Sequence, residues 1–304
     1  MNYIIFDLEW NNAYSYVKKG FMNEIIEIGA VKLNENLEIV DTFKQLILPK
    51  ITKKLSGRCK SLTNITNEEL KENGVPFVDA IRDFSRWSRG DNNIFMSWSN
   101  SDLYVLTNNY QTLLGNLNID FITKYCDAQK DCMSFIEREN NNQISLADCG
   151  AAFGIEIDVD KLHRALTDCY LTAECFKKVF DKEKLKGFVH DCDSSFFERL
   201  IYKPYLITKP VSDIFDVYKQ ELVCPICKSD MIRLKDFECV NKSFRCPAKC
   251  KKCGKTFWTT VRAKKTYDTV EVHQRSIEMN RQRAKKIKTD KNRDKITYHY
   301  FVNI

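Results

Sequence analysis

The sequence predicts a mixed α/β domain followed by a small cysteine-rich module, on three observations. Apolar and polar residues alternate in successive runs within the first 50 residues, later runs repeat at three and four residues, and six of the 13 cysteines crowd between positions 224 and 253. The 304 residues, 43% hydrophobic and 29% charged, suffice for one domain and something smaller. No apolar run approaches the ~18 residues of a membrane span. The start, MNYIIFDLEW, leads into a patterned strand where a signal peptide would be basic and then apolar. A soluble, cytoplasmic protein is the expectation.

In YIIFDLEW (3–10), Ile4, Phe6 and Leu8 lie on one side and Asp7 and Glu9 on the other; NEIIEIGAVKLN (23–34) is a second strand and ENLEIVDTFKQLILP (35–49) supplies a third. Short turns between them imply an antiparallel meander. Thr66 ahead of NEEL and the run VDAIRDFSRW signal helices. NNIFMSWS (92–99) reads as a buried strand, DLYVLTNNYQTLL (102–114) as a helix, FITKYCDA (121–128) as a strand, and SLADCGAAFG as a short helix ending at Gly154. In RALTDCYLTAECFKKVF, Leu166, Cys169, Ala173, Phe176 and Phe180 form one apolar helical stripe. A mixed sheet flanked by helices is expected to close near residue 182. Residues 183–220 read as a structured linker, 221–261 as the cysteine module, and 262–304 as a basic C-terminal tail.

Charge divides along the same line. Residues 221–304 hold 21 Lys+Arg against 9 Asp+Glu, a net +12, which leaves −5 on residues 1–220. Such asymmetry points to a polyanionic partner such as nucleic acid, with a solvated basic tail as the alternative. Seven cysteines scattered through the first 200 residues fit buried thiols in a reducing compartment.

Asp7 and Glu9, two residues apart on a strand, project from the same face. Two adjacent carboxylates repel unless a cation sits between them, and hard oxygen ligands select magnesium or manganese. Alone, an Asp-x-Glu would be an ordinary solvated face, but this pair interrupts an aromatic and aliphatic strand. Asp102 follows NIFMSWS in the first turn of a helix, and His163 and Asp168 flank the start of the last helix in HRALTD. Taken singly, each has a structural explanation in capping or dipole compensation.

FDLEW, NEIIEIGAVKL, SWSNSDLYVL and HRALTD, in that order, resemble the motifs of the DEDDh 3′-5′ exonuclease family, which includes RNase T, oligoribonuclease and DNA polymerase proofreading subunits. The four residues between His163 and Asp168 match the histidine subclass, and SWSNSD is similar to the second motif of its KapD-like and ERI-like branch, many of whose members act on RNA. The resemblance covers roughly residues 1–182. It implies an RNase H-like fold, here a mixed five-stranded sheet, and two Mg²⁺ or Mn²⁺ at the site. In the family pattern Asp7 bridges both ions, Glu9 and Asp168 hold the ion carrying the attacking water, and Asp102 acts through water. His163 fits a general base, since imidazole changes charge near neutral pH. Leu8 and Trp10 are candidates to pack on a terminal nucleotide, although Trp10 serves equally as core. Asp127 falls at a strand end facing the site, and the family pattern gives it no metal role.

Cys224-Pro-Ile-Cys227 and Cys250-Lys-Lys-Cys253-Gly254 can each bend round one Zn²⁺ and together complete a tetrahedron. The arrangement resembles a zinc ribbon with KSDMIRLKDFECV and KTFWTTVRA as strands. Cys239 and Cys246 compete as ligands, and Gly254 favours the pair Cys250/Cys253 because a knuckle needs a left-handed turn there. A redox role is the alternative. Four thiolates leave no open position, so one structural Zn²⁺ is expected. The module would then present Lys249, Lys251, Lys252 and Lys255 with Phe257 and Trp258 to a substrate, and RQRAKKIKTDKNRDK would add a phosphate-gripping arm. The leading expectation is a metal-dependent 3′-5′ exonuclease on single-stranded RNA or DNA, RNA favoured, with no membrane partner. A DNA proofreading or repair exonuclease and a non-catalytic nucleic-acid adaptor are the alternatives.

Overall fold

β1 (Tyr3–Ser15), β2 (Gly20–Leu33) and β3 (Ile39–Leu46) form the antiparallel meander. β1 also pairs in parallel with β4 (Ile94–Ser97), which pairs in parallel with β5 (Lys124–Asp127). The computed structural model describes residues 1–16, 19–52, 54–136, 142–156, 163–279 and 300–302. It divides into two units, Met1–Ile201 and Tyr202–Ile304. A sixth strand, β6 (Val189–Asp191), runs antiparallel to β5, giving the order β3-β2-β1-β4-β5-β6. The expected five strands therefore gain one at the edge. Three largely exposed residues carry no alternation long enough to read.

Between these strands lie α1 (Gly57–Thr63), α2 (Asn67–Asn73), α3 (Phe77–Trp87), α4 (Ser101–Leu114), α5 (Ala128–Met133), α6 (Leu146–Ala152), α7 (Ala165–Val179), α8 (Lys182–Leu185) and α9 (Ser194–Ile201). Alternation sorts β1 between two layers. Ile4, Phe6 and Leu8 pack with Phe84 of α3, Leu103 and Leu106 of α4 and Phe197 of α9. Tyr3 and Ile5 pack on the other face with Cys169, Ala173 and Phe176 of α7. Leu8 is thus core, and Trp10 packs half-buried against the same cluster. The Thr66 and Ser145 hydroxyls cap α2 and α6 by accepting from the N–H groups of Glu69 and Asp148.

The stretch expected as a linker is ordered structure on both sides of the boundary. α8, β6 and α9 complete the first unit, because Phe197 and Leu185 are buried there. In the second unit β7 (Tyr205–Leu206) pairs with β13 (Thr256–Lys265), and β8 (Val211–Ser212) pairs with β9 (Phe215–Asp216). The remaining strands are β10 (Met231–Arg233), β11 (Glu238–Val240), β12 (Ser243–Cys250), β14 (Val270–Glu278) and β15 (Tyr300–Val302). β10, β12, β13, β14 and β15 follow one another in the sheet, and β11 also pairs with β12.

Three expectations change here. The sequence of β12 does not read as a strand, because Pro247 and two cysteines mask its alternation; the inward set is Phe244, Cys246, Ala248 and Cys250. The tail expected from 262 begins in the sheet, since Ala263 and Val272 are core. Phe257 is also core, not a presented aromatic. The run 281–295 lies outside the described residues. Among the described residues no helix is long and apolar enough to cross a membrane.

Candidate active site

Asp7 and Glu9 share the β1 face that α7 covers. Opposite them on β2 stand Gly29 and Glu27, and a bulge falls directly after, with Glu9 paired to Glu27 and Trp10 to Ile25. Bulges of this kind re-aim side chains beside functional sites. Asn109 of α4 holds the bulge by accepting from the Ile25 N–H at 3.3 Å and donating to the Asn23 carbonyl at 2.7 Å.

Asp102 lies in the first turn of α4, buried, and its Oδ1 accepts the Leu8 N–H at 3.1 Å. The helix that leaves β4 is thereby tied to the strand carrying Asp7. α7 brings the last two residues. His163, just ahead of it, has a left-handed backbone (φ 66°) and donates its N–H to Asp168 Oδ2 at 3.2 Å. Glu9, His163 and Asp168 each offer a ligand atom within 4.8 Å of the others. The structure thus gathers all five sequence-expected residues, through contacts or mutual electrostatic influence. Asp127 instead caps α5, accepting from the Lys130 N–H.

Crowding and burial set the protonation of this group. Burial, followed by repulsion from Asp102, Asp168, Glu9 and Glu27, holds the Asp7 carboxyl well above the usual range. Burial, with Asp168 and Glu27 adding to it, pushes Glu9 up to about 8. Asp102 rises to about 7 through burial despite the Leu8 N–H, and Asp168 to about 6 through burial despite His163. Crowded, buried carboxyls repel one another when ionised, and an all-oxygen donor set of this kind fits a hard divalent ion such as Mg²⁺ or Mn²⁺.

Two residues that sequence reasoning passed over hold this arrangement. Glu27 is fully buried and accepts from Arg164 Nε (3.2 Å), Arg164 Nη2 (2.9 Å) and the Ala165 N–H (3.2 Å). Arg164 also reaches Glu69 of α2 at 3.3 Å. Glu27 therefore closes the start of α7 from the strand beneath it, and the Arg164 that it holds is the chain neighbour of His163. The available signal was a carboxylate in the apolar strand EIIEIGAV and a cation inside HRALTD.

In the second unit the sulfurs of Cys224, Cys227, Cys250 and Cys253 lie within 4.8 Å of one another. Cys227 and Cys250 Sγ are 3.4 Å apart, and Cys224 and Cys253 Sγ 3.8 Å. Each pair ends in a left-handed residue, Lys228 (φ 58°) and Gly254 (φ 69°), and the Cys253 N–H donates to Cys250 Sγ. The Ser229 N–H, first among several donors, lowers the Cys227 thiol to about 6. Cys239 is exposed and Cys246 buried in the core, and neither belongs to the cluster.

Residues 4–176 match the family model described as Exonuclease (RNase T). The chain is similar to "Probable 3'-5' exonuclease KapD" of Bacillus subtilis (strain 168), 38% identical over 31% of this chain and 45% of that protein. It is 49% identical to human "3'-5' exoribonuclease 1" over 23% of this chain and 20% of that one. A third relative, "DNA polymerase III PolC-type" of Clostridium perfringens (strain 13 / Type A), is 27% identical over 62% of this chain and 12% of its own. The chain thus spans less than half the length of these curated relatives. The solved structure of a "full-length 3'-exonuclease" shares the fold at a TM-score of 0.51 and 22% identity, covering 64% of this chain and 91% of that one.

The raised carboxyls give a signed pH dependence. The unfolded chain releases these protons near pH 4, whereas the metal-free fold keeps them to about 6, 7 and 8 at Asp168, Asp102 and Glu9. Between those limits the unfolded state binds fewer protons, so stability falls as pH rises from ~4 to ~8. Urea midpoints in EDTA should therefore decrease from pH 5 to pH 8; an increase over that range would contradict the assigned environments.

Proposed function

The chain belongs to the exonuclease family of the RNase T type, and from that premise we propose that it removes nucleotides from the 3′ end of single-stranded nucleic acid, RNA in preference to DNA. The observation that carries the reading is the convergence of Asp7, Glu9, Asp102 and Asp168, all with raised pKa values, beside His163. A binding-only adaptor has no use for carboxylates crowded against a phosphate. The resemblance to the human exoribonuclease favours RNA. The longer stretch shared with the PolC-type polymerase supports a second reading, a DNA proofreading or repair exonuclease.

Asp7, Glu9, Asp102 and Asp168 would hold two Mg²⁺ or Mn²⁺. Such a pair supplies positive charge to both the attacking and the leaving oxygen of an in-line displacement. His163, at the rim of the carboxylate group and exposed to solvent, takes the proton of the attacking water on an imidazole nitrogen. The water oxygen bonds to phosphorus as the P–O3′ bond breaks, the freed O3′ takes up a proton from solvent to become the 3′-hydroxyl of the shortened strand, and a nucleoside 5′-monophosphate leaves. Glu27 and Arg164 act as positioning residues, because they fix the turn from which His163 projects. In the second unit, Cys224, Cys227, Cys250 and Cys253 would hold one structural Zn²⁺.

The direct test digests end-labelled RNA and DNA of one sequence side by side with Mg²⁺, using wild type and Asp7→Asn. RNA should shorten from its 3′ end faster than DNA, and Asp7→Asn should be inactive yet folded, since losing one crowded carboxylate relieves repulsion. Equal rates on RNA for wild type and Asp7→Asn would remove the proposed site, and faster DNA digestion would favour the second reading.

His163→Ala should lose about 10² to 10⁴-fold in rate while keeping its metal affinity. Loss of Mn²⁺ binding by calorimetry in that variant would make His163 a ligand and overturn its assignment as base.

Elemental analysis should give one Zn²⁺ per chain, absent in Cys250→Ser/Cys253→Ser, with the second unit losing stability. Purified protein free of zinc and carrying a Cys224–Cys227 disulfide would contradict the assignment.

A further inference from the structure

The sheet of the second unit has one face over its core and another that the zinc-ribbon reading leaves without a task. Register places the outward residues in rows across β10, β12, β13 and β14. One row is apolar: Trp258 stands between Pro247 on β12 and Ile277 on β14. The next row toward β11 carries Arg245, Thr260 and Arg275, and the row after that carries Arg262 beside His273. Lys249 flanks the apolar row on its other side.

Of these cations, Arg245, Lys249 and Arg262 are poorly matched by carboxylates. Lys264 pairs with Glu271 at 3.7 Å on this face, but no ion pair to Arg245, Lys249 or Arg262 occurs among the described residues. Among the described residues, Arg262 donates its Nε to the Ser243 hydroxyl at 3.2 Å, and the buried Arg245 Nε has no hydrogen-bond partner. A guanidinium kept partly out of water with an unused donor is costly unless an acceptor arrives from outside. Lys249 and Arg262 are exposed, and Trp258 is half-exposed between its apolar neighbours.

We infer that this face is a platform for single-stranded nucleic acid, with a base stacked on Trp258 and phosphates gripped by Arg245, Arg262 and Lys249. The inference rests on the exonuclease reading for the class of ligand, and it assigns a surface that the family match, ending at residue 176, does not reach. Every base has a face to stack, so one indole serves any sequence, while arginine forks suit phosphate oxygens. A platform of this kind lengthens the stay of long strands and ignores strands too short to touch it. The lysines around the cysteine cluster, Lys251 and Lys255, are by contrast paired with Asp230 and Glu278.

The test measures binding of a labelled 20-nucleotide strand to the full chain carrying Asp7→Asn, by fluorescence anisotropy over a range of salt. Adding Arg245→Gln/Arg262→Gln should weaken binding at least about ten-fold and flatten the log-log salt slope by about 1.4, at ~0.7 per lost phosphate contact. Trp258→Ala should weaken it about ten-fold and Trp258→Phe far less. With Asp7 intact, the double arginine variant should cleave a trinucleotide at the wild-type rate, with unchanged zinc content and thermal midpoint. A folded double variant that binds the long strand with unaltered affinity and slope overturns the platform. So does poly-L-glutamate that binds the parent chain as tightly as the strand does and loses as much to the double variant, since the surface would then serve an acidic protein. A chain that binds strands through this face and cleaves none would sink the exonuclease reading alone.

Discussion

The contact on which the first unit depends is the direct seat of α7 on β2 at Gly29. A β-carbon at Gly29 would overlap the Leu166 nitrogen and the Ala165 carbonyl carbon, both backbone atoms that cannot give way. The helix can therefore lie against the strand only where a side chain is missing, and the Cys169 thiol donates to the Gly29 carbonyl at 3.3 Å across the same gap. One residue pair along, Glu27 closes the end of the helix through Arg164 and the Ala165 N–H. Burying that pair is neither cheap nor obviously stabilising in itself, but removing one partner would strand the other at a cost of about 3 to 5 kcal/mol. The arrangement has few alternatives, and that is what fixes Asp168 and His163 over a strand distant in sequence.

Given that seat, the carboxylates are crowded by the fold and not by local sequence. Asp7 and Glu9 come from one strand, Asp102 from the start of α4, and Asp168 from α7, so no short peptide could bring them together. Their mutual repulsion opposes folding, and the core on both faces of β1 offsets it: Ile4, Phe6 and Leu8 on one side, Tyr3 and Ile5 on the other, all nearly inaccessible. A site assembled in this way gathers carboxyls whose ionisation a cation would favour.

What was legible in the sequence follows from range. Alternation in YIIFDLEW and the stripe from Leu166 to Phe176 are local, so the strands and the last helix could be placed, and the carboxylates stood out against apolar surroundings. Glu27 and Arg164 are 137 residues apart, and each alone resembles an ordinary surface charge, so their pairing was hidden until the register set Glu27 beside the helix start. β6 is too short to show a period. β12 breaks its own pattern with Pro247 and the cysteines, although its outward and inward residues alternate once Phe244, Cys246 and Ala248 are known to be core. The expectation that Phe257 and Trp258 would both face a ligand ignored that neighbours on a strand point to opposite sides.

That same rule gives the second unit its logic. Alternation along β13 sends Phe257, Val261 and Ala263 inward to join Phe244, Cys246 and Ala248, and sends Trp258 and Arg262 outward. The four clustered sulfurs sit at one end of this sheet, where Cys250 ends β12 and is itself buried in the core. A metal held there would brace the hairpin that carries β12 into β13, and with it the positions of Arg245, Trp258 and Arg262 relative to one another. A small sheet with a thin core is otherwise poorly able to keep a flat, charged outer face, because its few buried side chains must offset both chain entropy and the repulsion among surface cations. A structural metal at the cysteine cluster and a charged outer face would then be two consequences of one constraint: the more like charge a small unit displays, the more its folding must be secured by bonds other than apolar burial.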